Sequence, residues 1–309
     1  MAPMISPNAL ADFPGRNGRI TFMQADDAGY LQVWVAPKDH LSRSRQITHK
    51  AAGSGWPVWS PTAPLIAFDS DRTDPDTSDE QAINDVFVIR PDGTGTRKVT
   101  DSVGFSSDPG WAPRGKRIAF SGDRGDYPAS QGIYTIRPDS THLRRVTTLP
   151  EGANVDTAPR FSPNGKRLVF TRYANEGDAE RGALFTVRLD GTRERRITPE
   201  KVSAGDADWS PNGRWLVFEA DTERSTRGGV FKIRPNGNRL RNLTDNDGRF
   251  AGSSDPVWSP NGKKILFLSG KRATEENNFR FGLTTMRPDG SHRHFISRQE
   301  QEQPDWQSR

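Results

Sequence analysis

The chain has 309 residues, a formal net charge of +5, a hydrophobic fraction of 32% and no cysteine. The lack of cysteine excludes disulfide bonds, thiolate metal sites and a cysteine nucleophile, and so small a charge excess argues against a nucleic-acid partner. No apolar run approaches the roughly 18 residues of a membrane-spanning helix, and no signal peptide is visible at the N-terminus.

A repeated unit of about 50 residues runs along the chain. Each unit begins with a string that resembles PVWSP, and its aromatic residues are spaced 52, 50, 48 and 49 residues apart, at Trp59, Trp111, Phe161, Trp209 and Trp258. An apolar triplet such as IAF, a strand with a polar turn such as VFVIRPDG, and a string such as RKVT follow. Partial copies flank the series at Phe13 and at Trp306.

The repeated strings predict short strands that are joined by tight turns. In the IAF string at residues 66–68, the two larger apolar side chains share one face, as in a strand. Asn-Gly and Asp-Gly pairs separate the strands, and these dipeptides are typical of type I′ hairpins, in which both central residues have positive φ. We expect looser turns at residues 62–64 and at Asp139-Ser140, where glycine is missing.

Four strands per unit and six units predict an all-β protein, a six-bladed β-propeller of four-stranded antiparallel blades. The segment around Trp306 is expected to supply the innermost strand of the N-terminal blade, so that both ends of the chain share one blade and close the ring. We predict an N-terminal tail at residues 1–12 and a single propeller domain at residues 13–309.

These strings resemble the TolB-type propeller repeat, whose blades have the pattern WSPDG, IAF, IYVMDADG and RRLT. The resemblance extends from Phe13 to Trp306 and implies a lone propeller with a WD-like repeat, because the small α/β domain that precedes the propeller in TolB is missing from this sequence. Propellers of this type bind protein partners, act as polysaccharide lyases or accompany peptidase domains. The string FPGRNGRI is similar to sequence that follows an export signal in this family, which implies a periplasmic or secreted protein of the bacterial envelope.

The two ends of the predicted ring differ in charge. Both tight hairpins of each blade lie at one end, and that end carries an arginine before each second turn: Arg90, Arg137, Arg188, Arg234 and Arg287. Such a ring attracts a polyanion, but pairing of each arginine with the aspartate of its own turn is the interpretation that we favour.

The opposite end, which carries the longer loops, is acidic. Aspartates three residues before the repeat aromatic, at Asp108, Asp206 and Asp255, are expected around the mouth of the central channel. The same position, three residues before the aromatic, is occupied by Trp56 in the second blade, Ala158 in the fourth and Gln303 in the closing strand, whereas Asp156 lies five residues before Phe161. We predict that Trp56 and these aspartates bind a ligand, although aspartates at such positions also cap turns.

No cofactor is predicted. The acidic loop between Asp69 and Glu80 lacks the spacing of an EF-hand, and 245–248 lacks its distal glutamate. Calcium remains open as a ligand of Asp108, Asp206 and Asp255.

The search for catalytic motifs finds no nucleophile elbow, zinc-protease motif, P-loop or dinucleotide fingerprint. A lyase centre at His49, Arg172, Tyr173 and Arg249 is the alternative. The acids nearby would repel an anionic sugar.

We therefore predict a non-catalytic propeller that binds a protein or peptide partner, of basic character, at its acidic long-loop face. The competing interpretation is a carbohydrate-active enzyme, a polysaccharide lyase or glycoside hydrolase, that uses the same face. We expect a monomer.

Overall fold

The structure, a computed structural model, describes residues 15–49, 52–73, 84–101, 104–176, 179–222, 225–244, 250–272, 279–297 and 301–308. The predicted tail at residues 1–12 and Phe13 lie outside the described residues, as do Arg249 and the acidic stretch at 245–248. Within the described ranges, no helix is long and apolar enough to cross a membrane.

The described residues form six four-stranded sheets, one per blade. Blade 1 contains, from the channel outwards, β24 (Glu302–Ser308), β1 (Asn17–Ala25), β2 (Leu31–Pro37) and β3 (Arg45–Gln46), with a 3₁₀ helix at Leu41–Arg43. Blade 2 contains β4 (Ser54–Trp59), β5 (Ile66–Ser70), β6 (Asp85–Ile89) and β7 (Arg97–Lys98). Blade 3 contains β8 (Ser106–Trp111), β9 (Ile118–Gly122), β10 (Gly132–Ile136) and β11 (Arg144–Arg145).

The other three blades have the same order. Blade 4 contains β12 (Ala153–Phe161), β13 (Arg167–Glu176), β14 (Ala179–Arg188) and β15 (Arg195–Arg196). Blade 5 contains β16 (Val202–Trp209), β17 (Leu216–Thr222), β18 (Ser225–Ile233) and β19 (Arg241–Asn242). Blade 6 contains β20 (Phe250–Trp258), β21 (Ile265–Arg272), β22 (Phe279–Met286) and β23 (His294–Phe295). The predicted six-bladed, all-β propeller is confirmed.

Blade 1 closes the ring with strands from both ends of the chain. β24 pairs antiparallel with β1, and Trp306 stands opposite Ile20. Trp306 is buried in a core cluster with Ile20, Phe22 and Leu266, so the closing strand contributes to the packing between blades 1 and 6. The predicted closure is therefore confirmed.

The core consists of equivalent apolar residues from each blade. The phenylalanine that ends each IAF-like triplet has no exposed surface, at Phe22, Phe68, Phe120, Phe170, Phe218 and Phe267. The repeat aromatics link neighbouring blades: the Trp111 indole Nε1–H donates to the Val58 carbonyl oxygen at 3.2 Å. Burial of these rings holds the inner strands against one another around the channel.

The tight turns are not of the predicted type I′. In the turn that begins at Arg90, the amide of Gly93 donates to the Arg90 carbonyl at 2.9 Å, and the amide of Arg90 donates to the Thr94 carbonyl at 2.9 Å. Only Gly93 has positive φ, +84°, while Asp92 does not. This is a type I turn followed by a left-handed residue, and the proline at its second position favours it.

The looser turn expected at Asp139-Ser140 is also absent. Ser140 takes the left-handed place of the glycine with φ +69°, and both turn hydrogen bonds are retained at 2.9 Å. The turn at residues 62–64 does differ from the other turns, because the amide of Ala63 donates to the Ser60 hydroxyl rather than to a carbonyl.

The turn aspartates bind the residue two positions later. Both the amide and the hydroxyl of Thr94 donate to Asp92 Oδ1, at 2.9 and 2.7 Å. These hydrogen bonds are the main reason that the pKa of Asp92 lies below its usual value, and the charge of Arg90 is a smaller cause. The favoured pairing of arginine with aspartate is therefore secondary to an Asx turn.

Replacing Ser140 with glycine should stabilise the protein by about 1 kcal/mol, because glycine adopts positive φ without the steric cost of a Cβ atom. The matched change is Gly191→Ala in blade 4, where φ is +82° and a Cβ atom would lie 2.9 Å from the Val146 carbonyl oxygen. That variant should be destabilised by more than Ser140→Gly is stabilised. Urea unfolding midpoints measure both changes, and a destabilised Ser140→Gly protein would contradict the assignment of the turn.

Candidate functional site

A central cavity is lined by the inner strands of all six blades. At its long-loop end, one residue per blade adopts the left-handed backbone conformation, with φ between 45° and 54°. We call these residues the bulge ring: Trp56, Asp108, Ala158, Asp206, Asp255 and Gln303. Each lies where the inner strand shifts register against the next strand. The ring is thus made of six β-bulges.

The bulges free backbone amides for contacts between blades. The amide of Asp108 donates to Asp69 Oδ2 of the preceding blade at 3.0 Å. The amide of Asp255 donates to Glu219 Oε2 of the preceding blade at 3.3 Å. Both acceptors directly follow the buried phenylalanine of their blade. These two bulges therefore each bring a second carboxylate towards the channel mouth.

Three carboxylates meet beside this mouth. Oxygen atoms of Asp206, Glu219 and Asp255 all lie within 4.8 Å of one another, and Gln303 Nε2 donates to Asp255 Oδ1 at 2.6 Å. Burial, and then repulsion from Asp255, raises the pKa of Glu219 to about 7. Burial raises the pKa of Asp255 to about 6, and burial with repulsion from Glu219 raises the pKa of Asp206 well above its usual value. The cluster is therefore partly protonated near neutral pH.

A second acidic pair lies next to this cluster. Burial and then the charge of Asp108 raise the pKa of Asp69 to about 8. Asp108 itself is buried, and burial raises its pKa as well. We call Asp69, Asp108, Asp206, Glu219 and Asp255 together the acidic mouth.

Trp56 lies at the same level of the channel. It lines the central cavity with Asp206 and Asp255 and is half-buried. Its amide donates to Met23 Sδ at 3.0 Å. An aromatic residue and carboxylates thus line the same cavity, a combination that suits a cationic side chain.

A second layer of charge lies deeper in the channel, one residue before the repeat aromatic. Asp208 Oδ2 accepts the amide of Trp258 at 2.7 Å, and Asp305 Oδ2 accepts the amide of Trp59 at 2.7 Å. Burial raises the pKa of Asp208 to about 7 and of Asp305 to about 6, and the positive charge of Arg160 opposes both shifts. Arg160 donates to the Pro159 carbonyl at 3.0 Å.

Asp156 lies apart from the acidic mouth. It is completely buried, and both of its carboxylate oxygens accept hydrogen bonds from Arg172, at 2.6 and 2.8 Å. Thr147 Oγ1 donates to the same carboxylate at 2.7 Å. Ala158, not Asp156, occupies the bulge-ring position of blade 4. The Asp156 carboxylate is thus engaged in a structural ion pair rather than directed at a ligand.

Two residues of the alternative lyase centre, Arg172 and Tyr173, are not available for that chemistry, and Arg249 lies outside the described residues. The guanidinium of Arg172, only 6% exposed, binds Asp156 and Glu194. Burial, and then the charges of Asp206 and Glu219, raises the pKa of Tyr173, so this phenol stays protonated. A lyase needs a base and a cation that is free to stabilise an enolate.

Sequence reasoning missed four charged residues of the channel: Arg160, Asp208, Glu219 and Asp305. Each occupies a repeat position where another blade has an apolar residue or glycine. Val58 and Gly110 are the counterparts of Asp208, and Leu268 is the counterpart of Glu219. Aligning the repeats and looking for a charged residue where other blades have an apolar residue or glycine would therefore have identified these positions.

The acidic mouth contains the donor atoms that a metal ion would require. Asp206, Glu219 and Asp255 each offer a carboxylate oxygen, and such oxygens are the ligands that calcium prefers. The chemistry of this cluster therefore suits a divalent cation or the ammonium and guanidinium groups of a partner.

Comparison with known proteins relates the chain to one propeller family. Residues 140–308, more than half of the chain, match the family described as the TolB beta propeller domain. The crystal structure of TolB from Acinetobacter baumannii has the same fold, with a TM-score of 0.71 and 20% sequence identity. The match covers 97% of this chain and 68% of that one.

Two curated relatives resemble only part of this chain. The "Protein TolB homolog" of Chlorobium luteolum is 30% identical over 128 residues, which are 40% of this chain and 26% of that protein. The "Uncharacterized peptidase YuxL" of Bacillus subtilis is 25% identical over 205 residues, 64% of this chain and 26% of that protein. The chain thus spans about a quarter of the length of either relative.

The buried acids make the stability of the protein depend on pH. A carboxyl whose pKa is raised by folding holds its proton in the folded state and loses it in the unfolded state, so the free energy of unfolding falls as pH rises from about 4 through the folded pKa. Asp69→Asn keeps an acceptor for the Asp108 amide and removes the proton with a pKa of about 8. Between pH 6 and 8, the free energy of unfolding of the Asp69→Asn variant should therefore fall less steeply with pH than that of wild type. The two slopes should differ by at most about 1.4 kcal/mol per pH unit.

Urea unfolding at several pH values measures that slope. Asp92→Asn is the matched control, because Asp92 is an exposed turn acid whose pKa is lowered, and it should leave the slope between pH 6 and 8 unchanged. An Asp69→Asn slope equal to that of wild type would contradict the assignment.

Proposed function

Because the chain belongs to the TolB β-propeller domain family, we propose that it is a non-catalytic propeller that binds a protein or peptide partner at the acidic mouth of its channel. The partner is a basic segment. The observation that carries the proposal is the approach of the Asp206, Glu219 and Asp255 carboxylates to within 4.8 Å of one another.

Carboxylates at this distance repel one another, and the raised pKa values of all three mean that the cluster keeps part of its protons near neutral pH. A lysine or arginine side chain that entered the mouth would relieve the same repulsion and replace those protons. Gln303 donates to only one of the three, Asp255. Electrostatic complementarity of this kind selects partners by charge and speeds their encounter.

The residues that line the mouth favour a peptide as the ligand over a free metal ion. Trp56 lies in the same cavity as Asp206 and Asp255, and an indole face binds guanidinium and ammonium groups by cation–π contact. Aromatic residues of this type are also enriched in protein interfaces. Calcium is expected to compete with such a peptide, since it would use the same oxygens.

We place the protein in the periplasm or outside the cell. This location rests on the string FPGRNGRI, which is similar to sequence that follows an export signal, and on the similarity to TolB.

A carbohydrate-active enzyme at this face is the competing function. The ion pairs of Arg172 with Asp156 and Glu194 argue against it, because they leave the guanidinium no free donor pair for a sugar carboxylate. A peptidase role, suggested by the name of the Bacillus relative, rests on a match to about a quarter of that protein.

Hexalysine binding tests the proposal. The triple variant Asp206→Asn/Glu219→Gln/Asp255→Asn should bind hexalysine at least about tenfold more weakly than wild type at low salt, by isothermal titration calorimetry. The wild-type affinity should fall as salt is raised.

The control variant Asp139→Asn/Asp190→Asn/Asp289→Asn also removes three carboxyl groups, which lie in exposed turns at the opposite end of the propeller and have lowered pKa values, so it removes at least as much negative charge. It should retain wild-type affinity. Equal weakening of both variants would mean nonspecific attraction by net charge. Depolymerisation of an acidic polysaccharide by the wild-type protein would support the enzyme instead.

A further inference from the structure

A groove lies between blades 6 and 1 at the tight-turn end, on the opposite side of the propeller from the acidic mouth. Its lining combines cations with apolar residues of the outer strands. Arg16, Lys38, Lys264 and His294 supply the basic side chains. Half-buried Ile296 supplies apolar surface, and Leu41, which is 7% exposed and belongs to the core cluster between these blades, lies in the same lining.

Neighbouring blades elsewhere in the ring meet closely at this end. A Cβ atom on Gly93 of blade 2 would lie 3.2 Å from the Ile47 carbonyl oxygen of blade 1. The turn glycines of blades 4, 5 and 6 approach the preceding blade in the same way, within 2.6–3.1 Å. At these junctions the absence of a side chain lets the turn cover the outer strand of its neighbour.

The junction of blades 6 and 1 is built differently. The second turn of blade 1 has the sequence PKDHLSR, which contains no glycine and includes the 3₁₀ helix at Leu41–Arg43. The groove lies between this turn and β23 of blade 6. The longer turn therefore leaves a depression where the other turns make a close contact.

The charge of the groove is positive. Asp39 is the acidic residue in its lining, and it is paired with Lys38. Arg16 and Lys264 have no acidic neighbour in that lining, and His294 adds a third nitrogen donor. Basic groups around a concave surface attract an anion, and a doubly charged anion more strongly than a singly charged one.

A buried donor adjoins the same groove. Trp306 is 6% exposed and forms part of the wall, and its Nε1–H has no hydrogen-bond partner among the described residues. The indoles of Trp59 and Trp258 at the equivalent repeat positions also have no partner among the described residues, and Trp306 also lines the central cavity, so the unpartnered indole is a feature of the repeat.

We propose that this groove binds a phosphate monoester carried on an apolar body. The phosphate would contact Arg16 and Lys264, since guanidinium and ammonium groups are the usual phosphate partners in proteins. The apolar body would cover Ile296. A phosphate monoester carries close to two negative charges at neutral pH, which matches the two cations, Arg16 and Lys264, that have no acidic neighbour in the described lining.

Phenyl phosphate is the probe, and isothermal titration calorimetry at low salt is the measurement. Phenyl phosphate should bind at least about threefold more tightly than inorganic phosphate, because its ring removes apolar surface from water, and phenol should not bind detectably. The variant Arg16→Gln/Lys264→Gln should bind phenyl phosphate at least about tenfold more weakly.

The matched control is Lys116→Gln/Lys166→Gln, which removes two exposed cations from hairpins of blades 3 and 4 that do not line the groove. It should leave the affinity unchanged. Equal loss in the control, no binding of phenyl phosphate, or binding of an acidic peptide in its place would overturn the proposal.

Discussion

The left-handed conformation of one residue in each inner strand is the constraint on which the channel mouth depends. Six residues other than glycine share it, with φ between 45° and 54°. Each conformation costs free energy of the order of 1 kcal/mol, so the packing of six blades must impose it. Its effect is to take a backbone amide out of the sheet and direct it at a side chain of the preceding blade, as the Asp108 amide is directed at Asp69.

Electrostatics at the mouth follow from this backbone geometry. The bulges bring Asp206, Asp255 and the amide-bound Glu219 to one side of the channel. Arg160 lowers the pKa of Asp108 and Asp206, but burial outweighs it. The protein therefore keeps a buried acidic site whose repulsion is relieved by protons, by a cation or by a basic partner. The opposite end carries exposed basic residues and the groove between blades 6 and 1, so the two faces suit ligands of opposite charge.

The repeat predicted the fold almost completely, because each blade encodes its own strands and its inward phenylalanine. Closure by Trp306 was predictable since an isolated final copy needs a partner. The turn type was not predicted correctly, because the Asp-Gly pair was considered alone. The preceding proline, in the sequence from Arg90 to Gly93, favours a type I turn.

The site was predicted in part. Positions three residues before the aromatic placed Asp108, Asp206 and Asp255 at the mouth. Asp156 was grouped with them, but its ion pair depends on Arg172 in the next strand, and sequence distance does not report that contact. The positions of the Glu219 and Arg160 side chains in the channel depend on which blades face each other, and tertiary packing determines that arrangement.

Proton release on partner binding tests the central claim most directly. Calorimetry of hexalysine binding at pH 7, in two buffers that differ in ionisation enthalpy, counts the protons exchanged. Acids with pKa values of about 6 to 8 in the mouth should lose protons to the buffer as the cationic peptide enters. Binding with the same apparent enthalpy in both buffers, and thus without proton release, would contradict a partner site built on these carboxylates.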